Sequence, residues 1–350
     1  MAAIRKKLLA WYDGAARDLP WRHTRDPYAI WVAEVMLQQT RVETVIPYYE
    51  RFLRSFPTPY ALAEADEDAV LSHWSGLGYY RRARLLQAGV REVVTRYDGK
   101  VPEEAEARRS LPGVGRYTAG AIGSIAFDKP EPVVDGNVTR VLARLFRIDT
   151  PIGNSMTTRR LWDEAARLIH GERPGALNQA LMELGATLCT HKSPDCAACP
   201  LVRDCRAYGH GEVQTLPVAR PHKPPTKLNL AAVLATRGRA SRQEVWLVRS
   251  QERLFGGMWG LPMIRRDSFD QTDPLGALRA AGISARLDSE PIGRVQHVLT
   301  HRRMQIDLFR ANAATGEETE TRRRFAPAEL QSVGISALTR KLLASTPSRA

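Results

Sequence analysis

Apolar residues recur three and four positions apart through residues 1–205 of this 350-residue chain, which is the spacing of amphipathic helices. Asp26 followed by Pro27 is typical of a helix start, with an N-cap and a proline at the first helical position. No alternating run of useful length interrupts the pattern. It predicts an all-α domain with helices at Ile4–Ala16, from Asp26-Pro27 through Ile30, Trp31, Val35 and Met36, and at Glu43–Arg54, Glu67–His73, Arg81–Tyr97, Arg116–Ala126, Val138–Phe146, Thr158–His170 and Ala176–Leu188.

The pattern changes after Cys205. Residues 206–227 contain four prolines and few apolar residues, which predicts a semi-rigid linker. Beyond it, short β-like runs alternate with two helical stretches. The sequence therefore predicts a smaller α+β domain at 228–345, with strands at Leu228–Thr236, Glu244–Arg249 and Met304–Phe309 and helices near Gly276–Ala281 and Ser336–Ala344.

The composition is that of an ordinary globular protein, with 43% hydrophobic and 25% charged residues. A formal net charge of +13 favours a polyanionic partner, although a merely basic soluble protein is the plainer interpretation. No apolar run is long enough to cross a membrane, and no cleavage site follows the basic N-terminus. We therefore expect a cytoplasmic protein.

All four cysteines lie in one loop, spaced Cys189-x6-Cys196-x2-Cys199-x5-Cys205. In a cytosolic chain such clustering indicates a metal site more than disulfides. Four thiolates suit either zinc or a [4Fe–4S] cluster, and His191 offers a Cys3His zinc alternative. Only one C-x2-C pair is present, and this uneven spacing favours the larger cluster, in a structural role.

A second motif joins two predicted helices at Leu111–Ala121 (LPGVGRYTAGA). Gly113 and Gly115 permit close approach and positive φ, so both can offer N–H groups to an anion. A helix starting near Arg116 points its positive end at the same place. The motif predicts a phosphate-binding hairpin, and a plain helix–hairpin–helix corner is the alternative.

The hairpin, Val134–Arg140 (VDGNVTR) and the cysteine spacing resemble the helix-hairpin-helix DNA glycosylases of the endonuclease III superfamily. Four further motifs are similar to the MutY-type adenine DNA glycosylases within it: Leu19–Arg22 (LPWR), Trp31–Thr40 (WVAEVMLQQT), Gly76–Tyr80 (GLGYY) and Asn178–Gly185 (NQALMELG). The resemblance implies a multi-domain chain, with an all-α helix-hairpin-helix glycosylase domain at 1–205 that ends in the iron–sulfur loop (189–205), then an α+β Nudix-like domain. It also implies a monomer that acts on duplex DNA containing adenine opposite 8-oxoguanine or guanine, and is associated with the nucleoid when bound.

Excising a base requires flipping it out of the helix, one acid to protonate it and one anion to stabilise the positive sugar. Glu34 lies among apolar residues, which should raise its pKa and suit the acid, whereas Asp135 at a helix start should stay ionised. The alternative for Glu34 is a partly exposed helix carboxylate, and the alternative for Asp135 is a plain helix N-cap. The resemblance assigns both to catalysis, with Asn137 positioning Asp135.

Tyr117 occupies the position where the strand-cleaving relatives carry a Schiff-base lysine. A phenol cannot form that bond, so we expect base removal without strand cleavage, with Tyr117 hydrogen-bonding Asp135 or the target nucleotide. The resemblance places Gln39 and Tyr79 at wedge positions, where a side chain fills the space left by the flipped nucleotide. The plainer alternative for Gln39 is a helix C-terminus that hydrogen-bonds to itself, and for Tyr79 it is packing in the core. The expected DNA contacts of this half are Arg22, Leu37, Gln38, Gln39, Tyr79, Gly113, Gly115 and Arg116.

In the second domain, Phe255–Pro262 (FGGMWGLP) is similar to Nudix domains, but the helix at 276–282 carries no carboxylates. Without those metal ligands we expect no nucleotide hydrolysis. The resemblance implies recognition of 8-oxoguanine by a Phe-Ser-His loop, which reads Leu299-Thr300-His301 here. Thr300 keeps the hydroxyl group of the family's serine, whereas Leu299 lacks the aromatic ring of its phenylalanine. His301 either contacts a phosphate or the lesion, or is an ordinary solvated histidine.

The sequence thus predicts a monofunctional adenine DNA glycosylase. A related mismatch thymine glycosylase or bifunctional lyase is one alternative, and Tyr117 and the second domain argue against the lyase. A non-catalytic damage sensor is the other. The pairing of Glu34 with Asp135 argues against it, since a pure binding protein needs neither acid.

Overall fold

A computed structural model describes residues 1–220, 224–238, 243–252, 254–266 and 273–345. Its contacts divide the chain into two compact units, Met1–Ala63 with Ala88–His222, and Glu64–Gln87 with Lys223–Ala350. This division differs from the sequence-based boundaries, because residues 64–87 group with the C-terminal part of the chain. Among the described residues, no helix has both the length and the apolar character needed to cross a membrane.

The first unit is helical, as the periodicity predicts, and local signals start its helices. Asp26 accepts a hydrogen bond from the Tyr28 amide, and Asp135 accepts one from the Val138 amide, so both act as N-caps. Helix α5 and the beginning of α6 belong to the second unit. The helices up to residue 209 are α1 (Ala2–Ala15), α2 (Pro27–Leu37), α3 (Val42–Ser55), α4 (Pro59–Glu64), α5 (Glu67–Trp74), α6 (Arg81–Tyr97), α7 (Ala105–Ser110), α8 (Arg116–Phe127), α9 (Gly136–Leu145), α10 (Ser155–Ile169), α11 (Pro174–Thr187) and α12 (Arg206–Gly209).

The core of the first unit lies between α8, α9, α10 and α11, where Leu142, Leu177 and Leu181 are buried. Each such leucine stabilises the fold by roughly 2 kcal/mol through removal from water. Helix α2 is buried along residues 28–36, including its single carboxylate, Glu34. Because α2 is apolar on all sides, that carboxylate has no solvent-facing side to occupy.

The segment predicted as a linker is ordered against the first unit as far as residue 220. Arg206–Gly209 forms α12, Arg147 pairs with Glu212 at 2.6 Å, and the Ile152 amide donates to the Val218 carbonyl at 2.9 Å. A proline-rich composition predicts only that a segment cannot join regular structure. It does not predict whether side chains from a folded body will hold that segment.

Over its described residues the second unit contains a mixed eight-stranded sheet, which agrees with the predicted α+β class. β1 pairs with β7 in parallel and with β2 and β4 antiparallel; β6 and β5 pair with β7, and β3 and β8 with β2. Helices α13 and α14 pack into two separate apolar clusters that share the sheet. The elements are β1 (Thr226–Arg237), β2 (Glu244–Arg249), β3 (Trp259–Gly260), β4 (Met263–Arg265), α13 (Pro274–Ala280), β5 (Ser284–Leu287), β6 (Gly293–Leu299), β7 (Arg302–Thr315), β8 (Arg322–Phe325) and α14 (Ala337–Ala344).

Candidate active site

One cavity of about 670 Å³ in the first unit gathers the residues that the sequence singled out there. They come from the turn at Pro20–Arg22, from α2 and the two residues after it, from the 111–115 hairpin, from α8 and from the start of α9, so residues far apart in sequence meet around one space. The predicted residues that line it are Arg22, Glu34, Leu37, Gln38, Gln39, Gly113, Gly115, Arg116, Tyr117, Asp135 and Asn137.

Glu34 carries a buried carboxyl group in this cavity, with 5% of its surface exposed. Burial raises its pKa to about 7, the nearby charge of Asp135 adds to the rise, and a hydrogen bond from Tyr117 opposes it. Removal from water disfavours the ionised form, which is why burial dominates. The predicted upward shift is confirmed, and near neutral pH Glu34 can both give and take a proton.

The Tyr117 hydroxyl donates to Glu34 Oε2 at 2.6 Å and also lies 3.5 Å from Met182 Sδ. The sequence-based expectation paired this phenol with Asp135 or the target nucleotide, and the structure instead pairs it with Glu34. The reason is tertiary: α2 and α8 pack together, which places the first turn of α8 beside the middle of α2. Burial raises the pKa of Tyr117 well above its usual value, so the phenol stays protonated.

Asp135 is held at the N-terminus of α9 by two hydrogen bonds. Its Oδ1 accepts from the Val138 amide at 2.7 Å, and its Oδ2 accepts from the Asn137 side chain at 3.1 Å. Arg140 in turn donates to Asn137 Oδ1 at 2.8 Å and to the Cys189 carbonyl at 2.7 Å. The prediction that Asn137 positions Asp135 agrees with this geometry.

The hairpin differs from its prediction at one glycine. Gly113 has φ +76, but Gly115 has φ −87 and is the N-cap of α8, which begins at Arg116 as predicted. A Cβ at Gly115 or Gly136 would meet no atom within 4 Å. Both glycines line the cavity, so their backbones are open to a ligand from that side.

Three of the predicted DNA contacts near the hairpin, Arg116, Gln38 and Gln39, differ in what holds them in place. Arg116 stacks on Trp162, with its guanidinium carbon 3.8 Å from the ring centroid. Gln38 is the C-cap of α2 and donates to Thr118 Oγ1 at 3.3 Å. Gln39 has φ +59, an uncommon value for a residue with a side chain.

A second buried carboxylate, Glu183 on α11, lines the same cavity and was missed as a site residue. Its oxygens accept from Arg17 Nε at 2.8 Å and from Arg22 Nη2 at 2.7 Å. Burial alone would raise its pKa, but the hydrogen bonds from Arg17 and Arg22 outweigh burial and lower the pKa to about 2. An acidic residue inside the apolar stretch Asn178–Gly185 is the signal that could have found it, as it did for Glu34.

The four cysteines line one smaller cavity, together with Arg144, whose Nη1 lies 3.3 Å from Cys189 Sγ. Burial raises the pKa of the Cys196 and Cys205 thiols, and that of Cys199 to about 11, with neighbouring cysteines adding to each rise. Within the described ranges no three His, Cys, Asp or Glu side chains lie close enough to hold a single metal ion. Four soft sulfurs that line one cavity nevertheless fit an iron–sulfur group by their donor chemistry.

The remaining predicted residues belong to the second unit. Tyr79 and Thr300 share a hydrogen bond of 2.6 Å between their hydroxyls, and 46% of Tyr79 is exposed. Tyr79 therefore does not pack in the core. His301 is exposed, and its carbonyl accepts from the Thr226 amide at 3.0 Å.

The sequence matches the HhH-GPD superfamily of base excision DNA repair proteins over residues 32–167 and the NUDIX domain over residues 234–345. It is 51% identical to the adenine DNA glycosylase of Rattus norvegicus over 229 residues, covering 62% of this chain and 44% of the rat protein. It is 36% identical to that of Homo sapiens over 364 residues, covering 88% of this chain and 67% of the human protein. The chain thus spans about half to two thirds of the length of these relatives.

The solved structure of a non-covalent endonuclease III–DNA complex is similar to the helical part, with a TM-score of 0.51 and 25% identity, over 60% of this chain and 95% of that protein. The matched superfamily segment contains Glu34, Tyr117 and Asp135, so these three cavity residues belong to the shared domain. Sequence identity, domain order and fold agree. The chain belongs to the adenine DNA glycosylase family of HhH-GPD base excision repair proteins.

Proposed function

We propose that this protein is a monofunctional DNA glycosylase that removes adenine lying opposite 8-oxoguanine or guanine in duplex DNA. The single observation that carries the proposal is the pairing of two unlike carboxyl groups around one cavity. Glu34 has a pKa of about 7, whereas Asp135 is held as a hydrogen-bonded N-cap. The net charge of +13 and the relatives named above support DNA as the partner.

The reaction needs the adenine to leave the base stack and enter the cavity, because C1′ is inaccessible within a duplex. Protonated Glu34 gives its proton to N7 of the base, and the N9–C1′ bond breaks with its electron pair leaving on adenine. The sugar is then an oxocarbenium cation, which the Asp135 carboxylate stabilises. Glu34, now ionised, takes a proton from the water that adds to C1′.

Tyr117 limits the reaction to base removal. Its phenol is protonated and bonded to Glu34, and an imine with the sugar requires an amine. The same bond to Glu34 orients the acid. Strand cleavage by a Schiff-base route therefore has no nucleophile at this position.

The four cysteines are proposed to hold a [4Fe–4S] cluster through Cys189, Cys196, Cys199 and Cys205. When bound, the cluster would cross-link the loop to the end of α11 and give it structure rather than take part in the chemistry. In this setting Arg144 compensates negative charge on the sulfurs, since its guanidinium lies against Cys189.

The test uses a labelled duplex with adenine opposite 8-oxoguanine, divided after incubation into portions with and without hot alkali. We expect strand breaks only after alkali, and loss of excision by about 100-fold or more in Glu34→Gln. The exposed Glu50→Gln on α3 is the matched control and should excise normally. Breaks without alkali would indicate a lyase, and tight binding without excision would indicate a damage sensor.

A further inference from the structure

Helix α5 is packed into the second unit, although the predicted domain boundary placed it in the first. Asp68 Oδ1 accepts from Trp259 Nε1 at 3.2 Å and from Arg249 Nη2 at 3.0 Å. Trp259 is 1% exposed, so its buried indole N–H needs this partly exposed carboxylate as its acceptor. The contact joins α5 to strands β2 and β3.

Two glycines make room for the helix. A Cβ at Gly334 would lie 2.6 Å from the Cβ of Leu71, and one at Gly257 would lie 2.9 Å from Glu67 Oε1. Cβ atoms are attached directly to the backbone, so the clash at Gly334 cannot be relieved by a rotamer change. The surface next to strand β3 therefore fits α5 closely at a position where only glycine leaves it in place.

The chain that follows α5 stays bound to the same body. Ser72 Oγ donates to the Gln331 carbonyl at 3.2 Å and Ser75 Oγ donates to the Ile335 carbonyl at 2.7 Å. Tyr80 Oη accepts from the Ala337 amide at 3.3 Å. These contacts bracket a loop at 76–80 in which the Tyr79 side chain is exposed.

Tyr79 is held in an uncommon state. Its φ is +48, its ring lies 5.5 Å from the Arg82 guanidinium carbon, and its hydroxyl meets Thr300. A left-handed aromatic residue is strained by about 1 kcal/mol or more, and persists only where its surroundings fix it. The docked α5 and the β6–β7 hairpin are those surroundings.

We propose that α5 is a clamp that positions Tyr79 against Thr300, and that Asp68 and Gly334 are positioning residues for reading the base opposite the target adenine. The proposal rests on the proposed function, because it assigns the Tyr79–Thr300 pair to that base. Loosening the clamp should reduce discrimination between 8-oxoguanine and guanine without altering the chemistry at Glu34, which lies in the other unit.

The experiment measures single-turnover excision of adenine opposite 8-oxoguanine and opposite guanine. We expect Gly334→Ala and Asp68→Ala to slow the first rate about tenfold and leave the second within about twofold, a difference equivalent to one order of magnitude in discrimination. Asp68→Asn keeps an acceptor for the Trp259 indole, so its rate opposite 8-oxoguanine should lie between those of Asp68→Ala and the unaltered protein. Asp66→Ala, which removes the same charge from the exposed N-cap of α5, is the control and should match the unchanged protein.

Amide hydrogen exchange of the free protein gives a readout that does not depend on excision. Residues 76–80 should exchange faster in Gly334→Ala and Asp68→Ala, while α2 and α11 keep their protection. Faster exchange with unchanged discrimination, or unchanged exchange, would overturn the proposal. If the unaltered protein excises equally opposite both bases, the proposed specificity and its reading role fail, and exchange alone still decides whether α5 holds Tyr79.

Discussion

The Tyr117 hydroxyl donates a 2.6 Å hydrogen bond to Glu34 Oε2, and this one bond opposes the effect of burial on the acid. Burial by itself raises the pKa of Glu34 and favours its neutral form. The phenol stabilises the carboxylate, so the pKa of Glu34 stays at about 7 and both protonation states are available.

Tyr117→Phe removes the donor and keeps the ring. The pKa of Glu34 should rise, because the bond that stabilised its ionised form is lost. If Glu34 must be protonated to act, the fall in excision at alkaline pH should move upward by roughly one pH unit. Single-turnover rates from pH 5 to 9 check this shift, and an unmoved alkaline limb would contradict the role of Glu34 as the acid.

Relative to the unaltered protein, Glu34→Gln should become more stable as the pH rises. A pKa raised from 4.5 to about 7 means that the folded protein retains a proton that the unfolded chain releases. The stabilising contribution of protonated Glu34 is full below pH 4.5 and is lost as the pH rises through 7. The free energy of unfolding of the variant minus that of the unaltered protein should be roughly 3 kcal/mol larger at pH 8 than at pH 4. Thermal unfolding at the two pH values measures this difference. A pH-independent difference would exclude the shifted pKa.

Glu183→Gln should show the opposite trend. The pKa of Glu183 is lowered to about 2, so its contribution is present above pH 4.5 and lost as the pH falls toward 2. The variant should be less stable at pH 7 by roughly 2–3 kcal/mol, and the difference should shrink in acid.

Arg22→Lys, which retains the charge but loses the planar guanidinium, should destabilise the protein less than Arg22→Ala. Denaturant unfolding at pH 7 and pH 3 measures both effects.

Tyr117→Lys places an amine beside the sugar position in the cavity. We expect the variant to cut the strand without alkali and to form a covalent adduct with DNA that borohydride traps. A gel of labelled duplex with and without borohydride detects both products. A folded variant that excises adenine yet forms no adduct would show that position 117 does not decide between the two reaction classes.

Cys199→Ser should lose iron and sulfide in equal measure, with loss of the sulfur-to-iron charge-transfer absorption. Ser193→Ala, in the same loop, is the control. The Ser193 backbone carbonyl accepts the hydrogen bond from the Thr190 hydroxyl, so the substitution leaves that bond in place and the variant should keep its iron and sulfide. Elemental analysis of the unaltered protein separates the alternatives. One zinc per chain and no sulfide would replace the cluster with a zinc site.

The sequence by itself determined the features that depend on short stretches of chain. Helical periodicity, the Asp26 and Asp135 caps, the helix start at Arg116 and the close cysteine spacing are all local, and the apolar neighbours of Glu34 already indicated its raised pKa. The superfamily motifs are local as well, which is why the fold class was predictable from them.

Only the tertiary structure decided which groups meet. Tyr117 bonds to Glu34 because α2 packs on α8, Glu183 is matched by arginines more than 160 positions away, and α5 lies against Trp259 and Gly334. Strands as short as β3 have too few residues to show alternation, so their pairing depends on neighbours distant in sequence. Long-range partners are selected by packing and by the need of buried polar groups for hydrogen bonds, and no local pattern records that choice.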